Sequence, residues 1–141
     1  MFGSLNLQQY IFGNIKMPQF DLQKHDLRSL NRILQDQKKE TNEISWEVIN
    51  PKGSHAIAVG IDAPIEVIIS GSTGYYCGGM NQHANITVKG SVGPGVAENM
   101  MSGKVVIEGD ASQYAGATGQ GGLLVIKGNA SSRCGISMKG I

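Results

Sequence analysis

The chain has 141 residues, a net charge of +1 and only 16% charged side chains. That length suits one domain with a modest core, and the charge excludes the basic footprint of a nucleic-acid binder and the polybasic patch of a membrane-surface protein. Glycine stands out at 20 residues, most of them after position 50, about double ordinary usage, while two cysteines are too few for a disulfide scaffold.

The opening MFGSLNLQQYIFGNIK has neither the early positive charge nor the unbroken apolar run of a signal peptide. No stretch approaches the roughly 20 apolar residues of a membrane span, so the expected location is cytoplasmic. Residues 1–20 show no clear period and are assigned to an N-terminal arm: a partner-binding tail or a disordered segment are the alternatives. Residues 21–45 are a helical segment. Within it Leu27, Leu30, Ile33 and Leu34 fall on one stripe. Asp26 stands at the N-terminus, and Lys38 and Lys39 in the last turn suit the helix dipole. The predicted helix runs from about 26 to 39, as a cap or clamp on the rest or as a partner-docking helix.

From 46 onward, short apolar runs alternate with turn residues. Strands are expected at Trp46–Ile49, Ala56–Val59 and Ile65–Ser70, with turns at Asn50–Gly53 and Asp62–Pro64. Then a repeat takes over. Gly71, Gly90, Gly109 and Gly128 are each 19 residues apart, and each closes a strand-like run: EVIIS, NITVK, KVVIE and LLVIK. A fixed period sustained four times marks a repeat architecture. Aligned in register, Val67, Ile86, Val105 and Leu124 form one column, and Ile69, Val88, Ile107 and Ile126 a second. Two residues apart in a strand, both columns point inward. The expected fold is all-β, a parallel β-helix over residues 46–141 with about 19 residues per coil and a short N-terminal α-helix. Left-handed hexapeptide helices use multiples of six, so 19 residues with unequal, glycine-bounded sides point to the right-handed kind. The four glycines mark coil corners, where backbones approach closely. The outward column Ile68, Thr87, Val106 and Val125 is more apolar than a wet face requires, so the helix, or else a partner subunit, is expected to cover it.

Few residues suggest chemistry. Cys77 and Cys134 share a column three coils apart, too far for a disulfide, and both are read as small buried residues. His25, His55 and His83 lack metal-ligand spacing, and carboxylates are too sparse for acid–base work on a sugar. Gly71–Gly74 and Gly119–Gly122 lack the lysine of a phosphate loop. Met80, Met100, Met101 and Met138 are read as core packing. No catalytic, cofactor-binding or metal-binding residue is assigned. Two stretches, GYYCGGMNQH and GPGVAENMMSG, stack on successive coils. They place Tyr75, Tyr76, Asn81, Gln82, Glu98 and Asn99 in one region, a candidate partner interface, with local turn satisfaction or a small-molecule site as alternatives.

The runs NPKGSHAIAVG, GYYCGGMN, GVAENMMSG and GGLLVIKGNASSRCGISMKG together resemble the GXGXG domain. That domain closes the large subunit of glutamate synthase and also occurs as a separate subunit of split glutamate synthase-like complexes, including N-methylglutamate synthase. The resemblance covers about residues 20 to 141. It implies a right-handed β-helix that carries no catalytic residue, flavin ligand or iron–sulfur ligand. It implies a structural role, holding a class II glutamine amidotransferase subunit and an FMN-dependent synthase subunit so that ammonia passes between them. FMN and an iron–sulfur cluster are then expected in those partners. One of the subunits of formylmethanofuran dehydrogenase belongs to the same broader family and is the alternative scaffold. Stand-alone relatives are usually longer, so ending at Ile141 would leave a strand edge open. Another chain or a second copy would cover that edge, or the sequence is a fragment.

Overall fold

The computed structural model describes residues 8–12, 15–37 and 45–141. Its backbone is one seven-stranded sheet in chain order. Strands β1 (Gln8–Phe12) and β2 (Ile15–Asp21) form an antiparallel hairpin. From β2 onward every pairing is parallel, through β3 (Ser45–Ile49), β4 (Glu66–Ser70), β5 (Asn85–Val88), β6 (Lys104–Ile107) and β7 (Leu123–Ile126). Successive parallel strands, each one coil from the next, make a β-solenoid.

The register is the one the 19-residue period dictates. Val67 pairs with Ile86, Ile86 with Val105 and Val105 with Leu124; Ile69, Val88, Ile107 and Ile126 pair likewise. All of these from β4 to β6 are buried. The second column also extends toward the N-terminus through Val48 and Phe20. Residues 15–20, grouped with the arm by sequence, are therefore strand in the same sheet. Their place was hidden because Gln19 stands opposite Glu47 and Ser45 opposite Glu66, so the first two coil intervals exceed 19.

Helix α1 (Leu27–Gln35) fills the long loop between β2 and β3. Asp26 caps it, its carboxylate accepting from the Ser29 amide at 2.8 Å. That bond holds the Asp26 carboxyl below its ordinary value. The predicted end at 39 lies outside the described residues. Leu30, Ile33 and Leu34 are buried and join the solenoid's interior cluster. The opposite expectation, that the helix shields the outer apolar column, is not met. Its polar residues tie it to the next coil, between β3 and β4: Asn31 Nδ2 donates to the Ala56 carbonyl, and Asn31 Oδ1 accepts from the Ala58 and Val59 amides. Gln35 donates to the Val59 carbonyl. The helix therefore plugs the end of the stack. Ile68, Thr87, Val106 and Val125 stay half-buried on the sheet's outer face.

The segment 56–59 is not a strand. Ala56, Ala58 and Gly60 all have φ between +55° and +73°, alternating with ordinary residues. The same alternation recurs at Tyr76, Gly78 and Met80, at Gly95, Ala97 and Asn99, at Tyr114, Gly116 and Thr118, and at Arg133, Gly135 and Ser137. A two-residue period in the backbone thus imitates strand alternation in sequence. Its amides reach alternately to the coils on either side: Ala97 donates back to the Cys77 carbonyl, and Asn99 forward to that of Ala117. This is a second inter-coil ladder, opposite in character to the sheet. Left-handed φ costs a non-glycine residue about 1 kcal/mol, which the two-sided bonding offsets.

Both cysteines lie in this ladder's column, but only Cys77 is buried; Cys134 is exposed. Cys77 has Val96 and Ala115 stacked on the coils after it, whereas Cys134 lies on the coil that follows β7. Burial pushes the Cys77 thiol up to about 12. A thiol reagent should therefore titrate one cysteine per folded chain and two after denaturation; two fast-reacting thiols in the folded protein would contradict this packing. The methionines split in the same way: Met100 is buried, whereas Met80, Met101 and Met138 are exposed.

Candidate functional site

The six interface candidates do not form one surface. Asn81 is fully buried, and its Nδ2 donates to the Ala84 and Ser102 carbonyls. It closes a turn inside the solenoid. Gln82 is half-buried; its amide donates to the Ile61 carbonyl and its own carbonyl accepts from Ala84. The other four gather at the corner that opens the left-handed ladder.

Tyr75 is 52% exposed. Its ring lies flat on that of His55 one coil earlier, with centroids 3.9 Å apart and planes within 10°. The Tyr75 amide also donates to His55 Nδ1 at 3.0 Å. Tyr76 follows, half-buried, its hydroxyl accepting from Asn99 Nδ2 at 3.5 Å. Asn99 Oδ1 accepts in turn from the Thr118 hydroxyl. Glu98 is half-buried beside Tyr76.

Sequence reading did not single out three residues that complete this corner: Pro94, Tyr114 and Arg133. The signal was present, since Tyr76, Gly95, Tyr114 and Arg133 are spaced 19 apart. Arg133 Nη1 donates to the Tyr114 hydroxyl at 2.9 Å, and its guanidinium carbon lies 5.5 Å from that ring's centroid, a cation–π arrangement. Tyr75, Tyr76, Pro94, Gly95, Glu98 and Tyr114 together line a cleft of about 300 Å³.

Elsewhere the structure offers little chemistry. Among the described residues no three His, Cys, Asp or Glu side chains gather closely enough to hold a metal ion. His83 Nε2 lies 3.6 Å from Asp62, and His25 contacts the Phe20 ring. Among the described residues no helix is long and apolar enough to cross a membrane. The last coil carries an apolar depression of about 260 Å³, lined by Leu124, Ile126, Met138 and Ile141 among others.

The chain is 69% identical over 88 residues to Protein GlxC of Rhizobium meliloti (strain 1021). The match covers 62% of this chain and 39% of that protein, so the chain spans well under two thirds of its relative's length. No family model matches it, and no solved structure does.

Proposed function

We propose that the chain is a non-catalytic scaffold subunit of a glutamate synthase-like complex. It holds a class II glutamine amidotransferase subunit and an FMN-dependent synthase subunit in the relative position that ammonia transfer requires. FMN and the iron–sulfur cluster belong to those partners. The observation that carries this reading is the solenoid itself: the four motifs that resemble the GXGXG domain all fall on its coils, and each bears the recurrent left-handed ladder. Rigid coils locked by ladders on two faces suit a positioning role. The tyrosine-lined corner is the surface on which we place a partner.

The test is recovery of the tagged protein from its own cells, with mass spectrometry and an absorption spectrum of the eluate. A class II amidotransferase together with a flavin-coloured synthase is the expected result. Pterin–metal subunits would move the chain to the formylmethanofuran dehydrogenase scaffold. A colourless chain recovered alone would overturn the scaffold reading, as would glutamine deamidation by the purified chain.

A further inference from the structure

We infer that the cleft between Tyr76 and Tyr114 receives an arginine side chain from a partner protein, with Glu98 as its counter-ion. The inference takes from the scaffold reading only the source of that arginine, and it names the chemistry by which the partner is held.

The column Tyr76, Gly95, Tyr114 and Arg133 places these residues on four successive coils. The ladder bonds Tyr76 to Pro94, Gly95 to Gln113 and Tyr114 to Ser132, each amide donating to the coil above. At the upper step the column is filled. Arg133 stands one coil above Tyr114, its guanidinium over the ring and bonded to the hydroxyl. At the lower step the residue above Tyr76 is Gly95, which has no side chain. The chain thus shows at one step which group this tyrosine column takes, and leaves the equivalent step open.

The open step is not simply a void. Tyr76 and Tyr114 bracket it two coils apart, roughly 9.5 Å at the spacing of neighbouring strands. A Cβ added to Gly95 would lie 2.8 Å from Glu98 Oε2 and 3.8 Å from the Tyr76 ring. The Glu98 carboxylate therefore reaches over Gly95, into the position the missing side chain would occupy. The described residues set no cation within ion-pair distance of Glu98. A carboxylate held among aromatic rings without an ionic partner among the described residues calls for a cation that also stacks. Guanidinium meets both demands: it is planar, it lies on aromatic faces, and it pairs with a carboxylate through two parallel hydrogen bonds. An ammonium satisfies only the charge.

The probe is Nα-acetyl-arginine methylamide, titrated into the full chain while the ring resonances of Tyr76 and Tyr114 are followed by NMR. Saturable shifts of both rings are expected. The citrulline analogue, a neutral shape mimic, should leave them in place, and Glu98→Gln should weaken the arginine response at least fivefold with an unchanged unfolding midpoint. Equal shifts from citrulline, or a Glu98→Gln chain that responds like the wild type, would overturn the site. A second arm compares tagged wild-type and Glu98→Gln chains recovered from cells. At least a fivefold loss of the co-purified partner is expected, and full recovery with Glu98→Gln would overturn the partner's arginine as occupant. If the wild type itself brings down no partner, the scaffold reading falls, and the titration alone decides the cleft.

Discussion

Gly109→Ala should destabilise the protein by about 2–3 kcal/mol, the range of overpacking in a tight interior. The cause is contact, not backbone conformation. Gly109 donates its amide to the Gly90 carbonyl at 2.9 Å. A Cβ there would sit 2.8 Å from the Gly90 carbonyl carbon and oxygen, and 2.5 Å from Ser91 Oγ. Gly90 and Gly128 meet the coil below them in the same way. The struck atoms are largely backbone, held in ladders on both sides, so they have little room to give. Gly53→Ala is the control: its φ is +73° and nothing lies within 4 Å of the added carbon. It isolates left-handed strain, worth about 1 kcal/mol. Urea unfolding of the two variants checks this. A Gly109→Ala midpoint no lower than that of Gly53→Ala would mean that the coil corners are not steric contacts.

Ile107→Asp should have the larger effect, about 4 kcal/mol or more, enough to abolish folding at ordinary temperature. Ile107 is fully buried, between Val88 and Ile126 in adjacent coils. A carboxylate there has no water and no partner. Its neighbour Val106 points to the opposite face and is half-buried, so Val106→Asp should cost far less. Comparing the two variants by thermal unfolding reads the register directly, because a one-residue slip exchanges the faces. Equal losses would contradict the inward and outward columns.

How much was legible in the sequence depends on where it repeats strictly. Coils from Glu66 onward keep a 19-residue period, and the paired columns follow from it residue by residue. The first coils do not keep it. One holds a helix and the next a longer turn, so Phe20 and Val48 could not be seen as members of the Ile107 column. The left-handed ladder was obscured for another reason. Its residues include Ala56, Tyr76, Asn99 and Arg133, and only glycine announces positive φ in a sequence. Its two-residue period instead suggested a strand at 56–59. Of the interface candidates, Tyr75, Tyr76, Glu98 and Asn99 do meet. Asn81 does not, because a buried asparagine that bonds backbone carbonyls looks in sequence like an exposed one. Tyr114 and Arg133 lay in register with Tyr76 all along, but an arginine above a tyrosine gains meaning only when the step below it is seen to be bare.

The solenoid grows in whole increments. Each coil contributes one strand spacing, about 4.8 Å, along the stack, and the helix closes one end. Distance from that plug to the tyrosine corner is therefore a count of coils. Insertion or removal of a complete 19-residue unit between them would translate the corner along the axis in fixed steps while each coil kept its neighbours' chemistry. In the scaffold role we propose, such a fold would act as a ruler graduated by its own repeat.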